Sequence, residues 1–368
     1  MEKNERYSSQ IRLNGFGEAA QEKLFHSKVL VVGAGGLGCP ALQYLAAAGV
    51  GKLGIIDHDI IELHNLQRQV LYATNEIGLF KAQVAAKKLR LLNPEIEIQE
   101  QVLFLTAKNV RSVLEDYEII VDCTDNFAVR YLLCDACRLL DKPLIFGAIF
   151  RYEGQLAVFN VADDLGKKTT YRHLFPSPPN PLDAPDCNVA GVLGVLPGVI
   201  GTMQATETIK ILTGIGEPLR NKLMTIDLLN NSSLILAIPV ALPEGVKHPT
   251  SLSELETFDY IEHCGLKLSA IESIAPDKFL QLCGDANTLI IDVRNIGELP
   301  ALPVDHIQIP LPELPHQLKK INKKQIVVVC QTGKRSLAAA HLLRNYFGQE
   351  RQISHLEGGV ETLKTILL

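Results

Sequence analysis

Lys28–Val32 reads as a short apolar strand, Gly33, Gly35, Gly36 and Gly38 follow within six residues, and an apolar helix then runs to about Ala48. A strand that turns at once into a helix through glycines leaves few architectures open. It is the opening unit of an open α/β sheet. The glycines make the turn tight, let a phosphate approach the backbone, and let the helix pack on the strand. The helix N-terminus supplies N–H donors and a partial positive charge. Asp57 ends the next strand, Lys52–Asp57, where a carboxylate can reach a ribose hydroxyl.

The same alternation continues. Lys81–Leu92 has helical spacing and stops at Asn93 and Pro94, because proline disfavours helix before it. Glu95–Val102, Glu118–Asp122 and Pro143–Gly147 read as strands. Strand and helix in repeated order predict a mostly parallel sheet covered on both faces. Gly166–Pro185 reads as a long loop, Gly198–Leu212 as helix, and Leu223–Asp227 and Ser233–Ile238 as closing strands. Pro239–Pro249 breaks the pattern. The expected division is a domain over residues 1–240, a linker over 241–269, and a smaller α/β domain over 270–368. In the last, Asn287–Asp292 and Gln325–Cys330 are the clearest strands and Ser336–Tyr346 the clearest helix.

Composition narrows the setting. With 47% hydrophobic and 21% charged residues the chain is an ordinary globular one. Lys plus Arg number 36 against 41 Asp plus Glu, so no basic face for nucleic acid is expected. Val189–Ile200 is oily but interrupted by glycines and Pro197, too short to span a bilayer, and the charged start lacks a signal-peptide core. The 8 cysteines are too sparse for a disulfide scaffold. These features predict a cytoplasmic protein with free thiols and no membrane partner.

The candidate site residues cluster at strand ends. Asp57 and Asp59 are followed by Asn65, Arg68 and Gln69, then by Lys81 at a helix start; Glu118–Asp122 leads into Asp125 and Asn126. Taken singly, each charged residue is a solvated surface group. Together, two cations and several carboxylates beside a glycine turn suit phosphate chemistry, which hydride transfer to a nicotinamide does not need. Arg68 and Lys81 could neutralise charge at an α-phosphate, and Asp125 could hold Mg²⁺.

Arg6, Tyr7, the glycine turn, Asp57, Asn65–Gln69, Lys81, Asn93, Pro94, Asp122–Asn126 and Cys187–Gly194 resemble the MoeB/ThiF/HesA family, bacterial relatives of ubiquitin-activating enzymes. The resemblance covers about residues 5–240 and implies a Rossmann-like fold. It implies adenylation, with ATP and Mg²⁺, of the C-terminal Gly-Gly carboxylate of a small ubiquitin-like sulfur carrier. Gly36 and Asp57 would contact the adenosine part, Asn65, Arg68 and Lys81 the phosphates, and Asp125 the Mg²⁺, with Asn126 flanking the nucleotide. A homodimer through this domain is implied too.

Two departures stand out. Ser9 stands where the family places an arginine that reaches the partner subunit's ATP site, and Arg12 is the nearest substitute. The family's two Cys-x-x-Cys zinc pairs fall at Thr170 and His173 and at Ile261 and Cys264, so structural Zn²⁺ is not expected. Cys187 corresponds to a cysteine that bonds covalently to the activated carrier in some members; it is either that nucleophile or a positional residue. Cys134 and Cys137 fall inside a predicted helix and read as structural.

The C-terminal part carries a second pattern. Asp292, Val293 and Arg294 follow a strand, and Cys330, Gln331, Thr332, Gly333, Lys334 and Arg335 join a strand to a helix. Backbone N–H groups, a helix N-terminus and two cations around Cys330 would stabilise a thiolate or persulfide. With Glu357–Gly359 this resembles a rhodanese domain over about 270–368, although the usual tryptophan after the paired glycines is missing. Four residues separate Cys330 from Arg335, one fewer than the Cys-x5-Arg loop that wraps phosphate. The resemblance implies that Cys330 carries persulfide sulfur taken from a donor such as a cysteine desulfurase. The whole chain then reads as an adenylyltransferase and sulfurtransferase making a thiocarboxylate, for molybdopterin, thiamine or related sulfur transfer. The alternative is a non-catalytic nucleotide-binding scaffold or sensor with a docking rhodanese domain.

Overall fold

The computed structural model describes residues 3–179, 191–264, 271–318, 321–348 and 350–363. Its described residues form two compact units, one within 3–178 and 191–264, the other within 271–363.

The first unit is built on an eight-stranded sheet of order β3-β2-β1-β4-β5-β6-β7-β8. Its strands are β1 Lys28–Val32, β2 Lys52–Ile56, β3 Glu97–Gln101, β4 Ile119–Asp122, β5 Leu144–Phe150, β6 Glu153–Phe159, β7 Lys222–Asp227 and β8 Ser232–Ala237. β3 to β5 are all parallel, and β6, β7 and β8 extend the sheet antiparallel. Chain order reverses across the β1–β4 pair, so a crevice opens beyond their carboxyl ends. Helix Gly38–Ala48 packs its apolar length on one face and helix Phe127–Leu139 packs on the other. Both bury runs of apolar side chains, which is what holds a two-sided parallel sheet.

Two stretches differ from the sequence expectation. β5 runs on to Phe150 and turns directly into β6, a strand the sequence did not announce, through Arg151 at φ 54°. Residues 241–269, expected as a linker, contain helices Leu252–Thr257 and Tyr260–His263. Leu255, Tyr260 and Cys264 are buried in the core that includes Leu132, Leu133 and Cys137. The prolines before Thr250 therefore precede a tail that closes one face of the first unit.

The second unit has a parallel sheet of order β11-β10-β12-β13-β9. Its strands are β9 Glu272–Ile274, β10 Thr288–Asp292, β11 Ile307–Gln308, β12 Gln325–Val329 and β13 Gln352–Leu356. The central strand β12 is apolar and buried, and it delivers Cys330 to the start of helix Lys334–Phe347. No helix among the described residues is long and apolar enough to cross a membrane.

Candidate functional site

The glycine turn is shaped by close approach. Gly33 has φ 95°, and a Cβ there would lie 2.6 Å from the Cys123 carbonyl oxygen. A Cβ on Gly38 would lie 2.0 Å from the Gly33 oxygen. These two glycines let the turn and helix sit against the end of β4. Gly35 is different: its side faces only the Gln69 amide at 3.6 Å. Gly36 faces Pro197 and the Arg68 stem, so the crossover after β2 and helix Val195–Thr213 flank the turn.

Asp57 is buried, and both its oxygens are engaged. Oδ2 accepts from the Ala34 N–H at 2.7 Å and Oδ1 from the Asp59 N–H at 2.8 Å. It thus fixes the glycine turn as well as facing it. Burial pushes its carboxyl up, while the Lys81 charge and the two N–H donors oppose this. Lys81 is itself buried at the head of its helix, with Nζ 2.8 Å from Asp59 Oδ2. Asn65 is buried on a turn of 3-10 helix, its oxygen accepting from the Glu62 N–H. Arg68 Nη1 donates to the His64 carbonyl. Gln69 is buried, and its amide nitrogen is the atom nearest the side of Gly35. An amide N–H donor beside the turn suits an acceptor such as a phosphate oxygen.

The end of β4 forms the other wall. Asp122 is fully buried, and Oδ1 accepts from the Thr124 N–H and hydroxyl. Burial raises its carboxyl, and Arg130, 3.7 Å away, offsets that. Asp125 is exposed just beyond, and Asn126 caps helix Phe127–Leu139 by accepting from the Val129 N–H at 2.9 Å. Asp125 fits Mg²⁺, which takes one or two carboxylates and fills its remaining positions with water and phosphate oxygens. Asp57, His58 and Asp59 also place ligand atoms within 4.8 Å of one another. There, however, Asp57 is committed to backbone donors and Asp59 to Lys81.

Several supporting residues gave no local signal. Gln204 donates to the Asp122 and Ile145 carbonyls at 2.7 and 3.2 Å and holds the ends of β4 and β5. The Tyr72 hydroxyl donates to the Ala34 carbonyl at 2.7 Å, behind the turn. Only the run of strand ends in three dimensions reveals them. Tyr7 meets Asn93, whose amide donates to the Tyr7 hydroxyl at 2.8 Å and to the Ala46 carbonyl, and Arg6 donates to the neighbouring Leu92 carbonyl at 3.0 Å, tying two motifs far apart in sequence. Ser9 and Arg12 lie exposed on the short N-terminal helices. Cys187 lies outside the described residues.

The positions of the two zinc pairs do not fit a zinc ion. The Arg172 guanidinium is buried there, bidentate to Asp135 at 2.8 and 2.7 Å. The Tyr260 hydroxyl donates to the same carboxylate at 2.8 Å, and His263 Nε2 accepts from Arg172 at 3.1 Å. The Thr170 N–H donates to His173 Nδ1 at 3.0 Å. A permanent cation held among these side chains is incompatible with a dication and its thiolates. Cys134 and Cys137 are buried on the same helix as Asp135, and burial pushes the Cys134 thiol up to about 12.

In the second unit Cys330 is buried at the base of the loop that Gly333, at φ 87°, turns into helix Lys334–Phe347. The Val360 N–H donates to the Cys330 carbonyl at 2.8 Å and the Glu361 N–H to the Gln331 carbonyl at 3.2 Å. A Cβ on Gly359 would lie 2.4 Å from the Cys330 oxygen, so the paired glycines let this segment brace the loop. Arg335 is bidentate to Glu298 at 2.7 and 2.6 Å, which holds the Glu298 carboxyl down to about 2. Arg294 is buried against Asp292 and donates to Gln331 Oε1 at 3.2 Å. Lys334 heads the helix.

Comparison with known proteins agrees with this division. The ThiF family model matches residues 7–244 and the rhodanese-like domain model residues 275–365. A sulfur carrier protein adenylyltransferase from Thermus thermophilus is 45% identical over 273 residues, covering 72% of this chain and 98% of its own length. Adenylyltransferase and sulfurtransferase MOCS3 from Drosophila sechellia is 37% identical, covering 93% of this chain and 79% of its own. Among solved structures, E. coli MccB with ATP matches at TM-score 0.55 and 23% identity, over 66% of this chain and 75% of that one, a likeness of fold.

Proposed function

The chain belongs to the ThiF family and joins to it a rhodanese-like domain, and from that premise we propose its reaction in two parts. It is an adenylyltransferase and sulfurtransferase acting on a sulfur carrier protein, as its relatives' names describe them. In the first part a carrier's C-terminal Gly-Gly carboxylate attacks the α-phosphate of ATP. An acyl adenylate forms and pyrophosphate leaves. No general base is required, since the carboxylate is already ionised. Catalysis is positioning and charge neutralisation.

The roles follow from where the side chains sit. The glycine turn, with the Gln69 amide nitrogen beside Gly35, receives the nucleotide. Asp57 holds the turn by its Ala34 bond and has lone pairs left for a ribose hydroxyl. Lys81, Arg68 and Asn65 face the phosphates, and Asn126 flanks the nucleotide. Asp125 would hold Mg²⁺, which neutralises phosphate charge when bound. The observation that carries this part is the buried Lys81 ammonium, 2.8 Å from Asp59 and acting on Asp57, whose carboxylate is bonded to the glycine turn.

In the second part Cys330 carries a persulfide supplied by a donor such as a cysteine desulfurase. The terminal sulfur attacks the acyl adenylate, AMP leaves, and an acyl disulfide links carrier and Cys330. A thiol, for which Cys187 is the candidate within the chain, then attacks Cys330 Sγ. The carrier leaves as a thiocarboxylate and a disulfide remains, to be reduced by an external thiol. The proposed partners are the ubiquitin-like carrier, the persulfide donor and a second copy of the chain. Leu234, Ile235 and Leu236 on edge strand β8 are exposed and supply apolar surface for such contacts.

Mass spectrometry of carrier incubated with ATP, donor and enzyme tests the scheme. Cys330→Ala should stop at the adenylate with no thiocarboxylate. Full thiocarboxylate yield in that variant rejects the sulfur role. Absence of carrier adenylate with the wild-type chain favours a scaffold.

A further inference from the structure

Cys330 does not stand alone in its loop. Its Sγ lies 3.5 Å from Ser336 Oγ, Ser336 Oγ lies 3.3 Å from His355 Nδ1, and His355 Nε2 lies 2.9 Å from Ser273 Oγ. Cys330 and Ser336 are fully buried and His355 is 5% exposed. Three elements converge to build this row: the loop after β12 with the first turn of helix Lys334–Phe347, strand β13, and strand β9. A fully buried hydroxyl between a thiol and an imidazole is an expensive arrangement unless each group is paired, and each is.

We propose that His355 is a positioning residue of the sulfur site that takes the Cys330 thiol proton through the Ser336 hydroxyl. The proposal rests on the reading that Cys330 carries sulfur. In the resting state the thiol donates to Ser336 Oγ, the Ser336 O–H donates to His355 Nδ1, and His355 Nε2–H donates to Ser273 Oγ. Ser336 Oγ also lies 3.0 Å from the Gly333 carbonyl, so its hydroxyl turns between two acceptors while keeping its lone pairs toward the thiol. When the thiol ionises, its proton moves to Ser336 Oγ as the serine proton moves to Nδ1. A thiolate and an imidazolium result, with no change of oxidation state. The thiolate then attacks the outer sulfur of the donor persulfide. The donor S–S bond breaks, a new S–S bond forms on Cys330, and the donor leaves as a thiolate.

The surroundings make His355 an acceptor at rest. Burial lowers its basicity, and Glu357, just beyond its own strand, opposes that. His341, from the helix, interacts with it, and burial and then the His355 charge lower its basicity too. Ser273 and Ser336 are its uncharged neighbours. A neutral imidazole with a fixed donor on one nitrogen leaves the other nitrogen free to accept.

The test uses the full chain and iodoacetamide as the probe. Alkylation of the tryptic peptide 325–334, which holds Cys330, is followed against pH by mass spectrometry. His355→Leu and Ser336→Ala should each slow alkylation at pH 7 by about tenfold, equivalent to moving the thiol titration up one pH unit. His355→Asn keeps a hydrogen-bonding group but cannot take a proton, so it should be as slow as His355→Leu. Rescue by His355→Asn, or unchanged profiles in the histidine variants, overturns the proposal. Circular dichroism of each variant confirms folding, and Ser336→Ala, a deletion of one oxygen, serves if the histidine variants do not fold. Persulfide loading of wild-type Cys330 is measured in parallel. Its failure would reject the sulfur role itself, whatever the alkylation profiles show.

Discussion

Replacing Lys81 by methionine separates chemistry from folding at the nucleotide site. The Lys81 side chain is 6% exposed, and its ammonium pairs at 2.8 Å with Asp59, whose side chain is 53% exposed. Methionine keeps the unbranched apolar stem that fills the helix start. The abandoned Asp59 carboxylate can rehydrate, so the folding loss should be that of an exposed pair, below about 1 kcal/mol. Catalysis should suffer much more. A fixed cation at a reacting phosphate acts in a site sheltered from water, and losing one such group costs roughly 3–4 kcal/mol, about 10²–10³ in rate. The Lys81 charge also restrains the upward shift of Asp57. Without it the Asp57 carboxyl rises further, and the acid limb of the rate profile should move to higher pH. The assay is carrier-dependent ATP–pyrophosphate exchange against pH, with thermal unfolding alongside. Exchange within a factor of about three of wild type would refute the phosphate role. A collapsed melting curve would show that Lys81 is structural.

Asp135→Asn should unfold the first unit early, because it leaves the buried Arg172 guanidinium without its counter-charge; breaking such a pair costs about 3–5 kcal/mol, read as the denaturant midpoint at constant slope. The double change Asp135→Leu with Arg172→Met should recover most of it. Glu298→Gln should give a pH-dependent loss in the second unit. The hydrogen bonds from Arg335 lower the Glu298 carboxyl from 4.5 to about 2, so the pair stabilises above the ordinary value and that contribution disappears as pH falls through about 2. Denaturant midpoints of wild type and variant should therefore differ at pH 7 and converge toward pH 2.

What the sequence made legible was what repeats locally. The strand Lys28–Val32, the helix to Ala48 and the helix Lys81–Leu92 are set by apolar spacing, glycine and proline, and each has the expected bounds. β6 was not legible for a stated reason. Gly147 reads as a strand end, yet it lies inside β5, because Gln204 sits where its Cβ would be, at 2.5 Å. The following turn uses Arg151 in a left-handed conformation, a residue with no turn signature. The tail after Pro249 misled in the other direction. Its prolines mark a break, but Leu255 and Tyr260 are buried in the core that helix Phe127–Leu139 helps to form. In the site, side chains at strand ends could be picked from spacing. Gln204, Tyr72 and His355 lie far in sequence from the groups they meet and could not.

The positive charge that seemed local in sequence is more sharply placed in space. Arg172 is matched by Asp135, Arg294 by Asp292 and Arg335 by Glu298, so these guanidiniums chiefly fix structure. At the glycine turn the balance differs. Lys81 is opposed by Asp57, which is buried and bound to backbone donors, and by Asp59, which is half exposed. Only Asp59 can turn to water cheaply, since an exposed pair is worth about 0–1 kcal/mol. In the proposed reaction an arriving phosphate would compete chiefly with Asp59 for the ammonium. A polyphosphate bound as proposed would replace that one loosely held carboxylate and leave the Asp57 bond to the glycine turn in place.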